Sequence, residues 1–215
     1  IAAVPLGGLC RSIALEHPEL RCTLIDIESK DAEAAECILG ELLLSAPGNE
    51  GLLAFRRGQR YVARLERRAP AAARELVIRG DATYLITGGL GGLGLATARW
   101  LAAQGARHLV LLGRRAPDAA TRAELRELAR AGAQAVTVQA DVAERAQLAG
   151  VLADIAGRLP PLRGVFHTAG VFADRLLRDH DWASFTSVFP PKVAGAWNLH
   201  CLTADLALDC FVLYS

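Results

Sequence analysis

The sequence predicts an α/β fold with a doubly wound parallel sheet, and three observations carry that expectation. Residues 81–215 alternate short apolar runs with apolar-faced helical stretches. The first run, Ala82–Thr87, enters a cluster of five glycines within the seven positions 88–94. The second, His108–Leu112, ends in Gly113-Arg114-Arg115.

The elements follow in chain order. Leu6–Glu16 reads as a helix that stops at His17-Pro18, because a residue before proline avoids the helical region. Arg21–Ile27 alternates and is β-branched, which predicts a strand. Asp31–Leu44 is an amphipathic helix with Asp31 as its N-cap, and Ser45–Gly51 is a loop. Leu52–Arg56, a turn at Arg57-Gly58-Gln59, and Arg60–Leu65 read as a hairpin. Arg67–Arg79 is a basic, alanine-rich linker, with Leu76–Ile78 packing onto a neighbour.

Beyond it, strands are expected at about 83–87, 108–112, 135–139, 163–167 and 209–214. Helices are expected between them at about 92–104, 119–131, 144–157 and 191–203. Right-handed crossovers convert that series into a parallel sheet with helices on both faces. The division expected is 1–80 and 81–215. The sequence starts at Ile1, has no methionine and stops after the strand-like run Cys210–Tyr214, so further sequence is expected on both sides.

Composition narrows the function classes. Hydrophobic residues make up 52% of the 215, enough for a full core and against disorder. Twenty-four basic and 23 acidic residues leave a net charge of +1, which gives no support for nucleic-acid or membrane-surface binding. No apolar run reaches the roughly 18 residues of a membrane span, and no secretory signal is visible. The five cysteines contain no CxxC and read as reduced, in a cytoplasmic protein. The five histidines form no HxxxH pair, so no metal site is expected.

The glycine cluster Thr87-Gly88-Gly89-Leu90-Gly91-Gly92-Leu93-Gly94 fits two templates. As GxGxxG it uses Gly89, Gly91 and Gly94; as TGxxxGxG it uses Thr87, Gly88, Gly92 and Gly94. Both place a backbone without Cβ atoms against a pyrophosphate, held by helix N-terminal amides. After a strand and before an apolar-faced helix, this is the Rossmann arrangement for a dinucleotide. An NAD site would carry a carboxylate for the ribose 2′-hydroxyl about 20 positions on. Arg114 lies 20 residues after Gly94, flanked by Gly113 and Arg115, and the nearest carboxylate is Asp118. Guanidinium groups bind a 2′-phosphate that a carboxylate would repel, so the cofactor predicted is NADP(H).

Two further strand ends face the same crevice. Ala140-Asp141-Val142 follows the third strand, where Asp141 holds the adenine amino group, caps the next helix, or does both. His167-Thr168-Ala169-Gly170 follows the fourth, with small residues that let the backbone pass near the cofactor ribose; His167 is read either as part of that wall or as a loop histidine. Tyr214 and Trp197 are read as core packing before substrate contacts.

Taken together, the stretches TYLITGGLGGLG, ARHLVLLGRR, ADV, GVFHTAG, PKVAGAWNLH and LDCFVLYS resemble the short-chain dehydrogenase/reductase superfamily, and within it the ketoreductase domains of modular (type I) polyketide synthases. They run in the family's order through nearly all of 81–215. GLCRSIALEHPELRCTLIDIE and LLAFRRGQRYVARLERR resemble the tail of that family's structural subdomain, a truncated Rossmann-like unit. The resemblance implies that 1–80 is the C-terminal part of the structural subdomain plus linker, and 81–215 an NADP-binding catalytic subdomain lacking its C-terminal part. It also implies a reaction: reduction by NADPH of a β-ketoacyl thioester, carried on the phosphopantetheine of an acyl carrier protein, to the β-hydroxyacyl thioester. The implied partners are that carrier and the other domains of the same synthase.

In this family a tyrosine protonates the forming alkoxide, a serine hydrogen-bonds it, and a lysine adjusts the tyrosine and binds the nicotinamide ribose. Lys192 matches the lysine. Pro190-Pro191 suggests a helix start, which would put Lys192 in a first turn against the helix dipole. Ser215 matches the first of the family's Ser-Ser pair, so the serine, tyrosine and asparagine are expected beyond residue 215. After HTAG, members that set one hydroxyl configuration carry Leu-Asp-Asp, whereas this chain has Phe172-Ala173-Asp174, which leaves the configuration open. Two alternatives remain: a free-standing reductase of a small carbonyl compound, against which residues 1–80 weigh, and a non-catalytic scaffold module, against which Lys192, the glycine turn and Arg114-Arg115 weigh.

Overall fold

The computed structural model describes residues 4–28, 32–43, 50–68 and 76–214. The chain divides into two compact units, residues 1–72 with 175–180 and residues 73–174 with 181–215.

In the first unit, helix α1 (Val4–Glu16) ends before Pro18, and a 3-10 turn (Pro18–Leu20) follows. Arg21 then adopts a left-handed conformation (φ 47°), so strand β1 begins at Leu24 and not at Arg21 as expected (β1, Leu24–Ile27). Helix α2 spans Ala32–Leu43; its expected cap, Asp31, lies outside the described residues, as do 45–49 of the expected loop and 69–75 of the expected linker. Strand β2 (Leu52–Arg56) pairs parallel with β1 and antiparallel with β3 (Gln59–Val62), which is shorter than expected. Arg57 and Gly58 both take positive φ (51° and 71°) between β2 and β3, the tight hairpin turn whose twist matches that of its strands. Leu53 and Phe55 point to the buried face of β2. Within this unit the Leu177 amide donates to Glu16 Oε2 at 2.7 Å.

The second unit is a five-stranded parallel sheet. Its strands are β4 (Thr83–Thr87), β5 (His108–Gly113), β6 (Gln134–Gln139), β7 (Leu162–His167) and β8 (Cys210–Leu213), in the order β6-β5-β4-β7-β8. Every residue of β4 is buried, because the central strand is covered on both faces. Tyr84 and Ile86 face one layer, with Ala98, Leu101 and Ala102 of α3 (Gly92–Ala103) and Leu128 of α4 (Ala119–Arg130). Leu85 faces the other, with Leu148, Val151 and Ile155 of α5 (Arg145–Arg158) and with Leu199. Ile78 packs on the first layer, as the sequence suggested for Leu76–Ile78, whereas Val77 is exposed. The order reverses on the two sides of β4, and such a switch point opens a crevice at the strands' C-terminal ends.

One region departs from expectation. Helix α6 (Trp182–Phe189) is started by a reciprocal cap between Asp181 and Ser184. It does not end at the prolines. Pro190 keeps right-handed helical angles (φ −54°, ψ −56°), the chain widens into a π turn over Pro190–Gly195, and helix α7 (Ala196–Thr203) continues from it. Prolines have no N–H to give the carbonyls four residues back, and the wider turn absorbs the two missing rungs. Lys192 therefore sits in the middle of a helical run, not in a first turn, and the dipole argument for it does not hold.

Candidate nucleotide-binding and catalytic site

The glycine turn is built by steric exclusion. Gly88 leaves β4 at φ 66°, and a Cβ on it would lie 2.7 Å from the Ala169 backbone nitrogen. A Cβ on Gly94 would collide with the Gly88 carbonyl and the Gly89 backbone. The turn is pinned by Gly89 N–H to the Leu112 carbonyl (3.1 Å) and Gly91 N–H to the Gly88 carbonyl (3.0 Å). Gly91 is the N-cap of α3, and no side chain caps that helix end. The amides of the first turn thus have neither an intrahelical partner nor a capping group, and around Gly92 a Cβ would find open space. Bare amides at the positive end of a helix are a seat for an anion.

At the end of β5, Leu90 lies against Gly113, where a Cβ would come within 3.3 Å of its Cδ1. Gln139 Nε2 donates to the Arg114 carbonyl (3.0 Å) and Ala140 N–H to the Gly113 carbonyl (3.0 Å), which fixes the loop backbone. Both arginines are exposed, and among the described residues neither guanidinium ion-pairs or hydrogen-bonds. Asp118 does not answer them. Its Oδ1 accepts from Thr121 N–H (2.7 Å) as the N-cap of α4, and that bond holds its carboxyl below the usual carboxylate range.

The loop after β6 is clamped from two sides. Asp141 accepts from Ala143 N–H at 2.9 Å, a local turn rather than the helix cap, which falls at Glu144. Asn198 of α7, 9% exposed, donates to the Val142 and Ala143 carbonyls (3.2 and 2.8 Å). The sequence reading missed Asn198; a buried amide in an amphipathic helix was the available signal.

His167 ends β7 and is 1% exposed. Its Nδ1 lies 2.6 Å from Thr87 Oγ1 and its Nε2 2.9 Å from the Pro191 carbonyl. Burial depresses its pKa below the ordinary 6.5, and the Lys192 charge adds to that. Next to it, Lys192 Nζ donates to the Tyr214 carbonyl at 2.7 Å. Its stem passes Gly170, where a Cβ would sit 3.0 Å from Lys192 Cε.

These elements enclose a cavity of about 750 Å³, large enough for a small-molecule cofactor. Of the expected residues, Gly88, Leu90, Gly91, Gly92, Leu93 and Gly94 line it. So do Gly113, Arg114 and Arg115, then Ala140, Asp141 and Val142, and finally Thr168, Ala169, Gly170, Phe172 and Lys192. Thr87, Gly89 and His167 are buried and do not face it; Ala173 and Asp174 do not line it either. Tyr214 lines it while packing on the first core layer. Trp197 is 54% exposed and stacks near His200, so the core role expected for it is not observed. Leu112, Pro117, Asp118, Thr121, Val171 and Pro191 are lining residues that the sequence reading did not assign. No helix among the described residues is long and apolar enough to cross a membrane.

Residues 82–215 match the KR domain family. The chain belongs to that family. It is 42% identical to erythronolide synthase EryA3 of Saccharopolyspora erythraea over 217 aligned positions, all of this chain but 7% of that protein. Among solved structures, "A-type Ketoreductases from Modular Polyketide Synthase" are 42% identical with a TM-score of 0.81, over 98% of this chain and 45% of that one. A first-module ketoreductase of phoslactomycin biosynthesis from Streptomyces sp. HK803 is 34% identical with a TM-score of 0.86, over 99% and 49%. The chain thus spans less than half of these ketoreductases and a small fraction of the synthase.

Proposed function

We propose that this KR domain uses NADPH to reduce the β-keto group of an acyl thioester presented by an acyl carrier protein, within a cytoplasmic polyketide synthase. The observation that supports it best is the lining of one cavity by an uncapped glycine turn, two unpaired guanidinium groups and Lys192. The residues fit the cofactor. Gly91–Gly94 amides would hold the pyrophosphate, Arg114 and Arg115 the 2′-phosphate, Asp141 the adenine amino group, and Thr168–Gly170 and Lys192 the ribose at the nicotinamide end. When bound, the cofactor supplies the hydride. The Lys192 ammonium favours the ionised form of a neighbouring hydroxyl, here the family's tyrosine, and so eases proton delivery to the forming alkoxide. Phe172 is the member of the Phe172-Ala173-Asp174 segment that faces the cavity, and we assign it to the acyl side of the site. Residues 1–80 are the C-terminal part of the structural subdomain plus linker in this reading, and the remaining domains of the synthase deliver and receive the carrier.

Titration of the protein carrying this chain with NADPH and NADH tests the proposal. NADPH binds more tightly, and Arg114→Ala or Arg115→Ala lowers NADPH affinity about tenfold while NADH affinity holds, the scale of one charge-assisted hydrogen bond. Equal affinity of the parent protein for both cofactors overturns the assignment.

A further inference from the structure

His167 is a buried imidazole with both ring nitrogens in use, and neither faces the cavity. The donors can be worked out. A carbonyl oxygen only accepts, so the 2.9 Å contact with Pro191 requires the proton on Nε2. In the neutral ring Nδ1 is then an acceptor, and the Thr87 hydroxyl must donate to it across 2.6 Å. Thr87 and His167 are register partners on the adjacent strands β4 and β7. Thr87 also begins the glycine turn, and Pro191 immediately precedes Lys192. The ring therefore ties the start of the phosphate-binding turn to the π turn that carries the lysine.

The fit around the ring is close. Pro191 and Gly195, four residues apart in that π turn, are both buried. A Cβ on Gly195 would come 2.8 Å from Val142 and 3.5 Å from His167 Cε1. Lys192 is then held by three contacts: the tether at Pro191, the Tyr214 carbonyl, and the bare face of Gly170.

We propose that His167 is a positioning residue for Lys192: its Nε2–H holds the Pro191 carbonyl and so sets where the π turn presents the Lys192 ammonium. This rests on the reading of Lys192 as the lysine of the reductive site. Burial disfavours the charged ring, in keeping with the neutral tautomer drawn above.

Two substitutions divide the two bonds. His167→Asn places an amide oxygen near the Nδ1 position and keeps the Thr87 bond; His167→Gln places an amide nitrogen near the Nε2 position and keeps the Pro191 bond. Each retains one buried bond, so a purely structural role costs them alike. A positioning role does not. With the protein carrying this chain, NADPH and a β-ketoacyl thioester, His167→Asn lowers kcat about tenfold, in keeping with a small misplacement of a catalytic group, and His167→Gln lowers it less than about threefold. NADPH affinity falls by less than kcat in His167→Asn, since Lys192 is one ribose contact beside the amides and guanidinium groups that hold the phosphates. Equal losses, or a greater loss in His167→Gln, overturn the inference. So does a ring-nitrogen NMR spectrum of the unsubstituted protein that places the His167 proton on Nδ1, a readout that needs neither variant to fold. A Lys192→Ala variant at full kcat would instead overturn the underlying reading, with His167 untouched.

Discussion

The two ends of the cavity are specified in different ways. The glycine turn is compact in sequence: Gly88, Gly89, Gly91, Gly92 and Gly94 lie within seven consecutive positions, and what they must avoid is mostly fixed structure, the turn's own backbone at Gly94, Thr168 and Ala169 at Gly88, and Ile86 and Leu111 at Gly89. The helical run Trp182–Thr203 is held from a distance. Pro191 is tied to a residue 24 positions away, Lys192 to one 22 away and Asn198 to carbonyls 55 and 56 away. A site can thus be rigid at one end by steric exclusion and at the other by hydrogen bonds, and the two ends should fail differently when altered.

Gly94→Ala gives the largest expected effect. Its Cβ meets backbone that cannot move aside, so we expect about 3 kcal/mol or more of lost stability and loss of NADPH binding, measured by denaturant unfolding and cofactor titration. If Gly94→Ala were tolerated, the turn would not be sterically specified. Asn198→Ala should cost about 1–3 kcal/mol, because it strips the Val142 and Ala143 carbonyls of their donor. Its effect on cofactor affinity should appear at the adenine end, so that NADPH and NADH weaken together.

Acid should act on the distant end. The folded state depresses the His167 pKa, while the unfolded chain titrates near 6.5. The unfolded state then binds more protons just below that pH. The stability this group contributes is complete above about 6.5 and is lost as pH falls through the lower native value. Comparing parent and His167→Asn over that range should show the slope in the parent alone. A parallel pH dependence would mean that the ring is not held neutral. Gly170→Ala is the mildest change. The new Cβ presses on the far end of a flexible lysine, so stability should move by less than about 1 kcal/mol while kcat falls, separating the position of the ammonium from the integrity of the fold.

The same contrast governs what could be read from the chain. The five strands of the second unit lie within about a residue or two of their expected places, and where a strand is covered on both faces, as in β4 and β5, it leaves an unbroken apolar run. The first unit was less legible at its edges: Arg21 takes a left-handed angle that residue type does not announce. Helix α6 escaped notice because its cap pairs Asp181 with Ser184 and not with a glutamate or glutamine. Pro190-Pro191 suggested a beginning where the chain in fact continues, since a π turn can absorb missing amide donors when neighbouring elements hold it. Trp197, expected to pack in the core, lies half outside.

By itself the sequence determined the parallel sheet, the glycine turn and the basic residues at the end of β5, since periodicity and the lack of Cβ atoms act over a few neighbouring residues. Only the tertiary structure decided that His167 turns away from the cavity, that Asn198 clamps the loop after β6, and that Lys192 rides on a π turn. Those outcomes depend on which polar groups become buried together, and each buried group must find its partner among residues brought near by the fold.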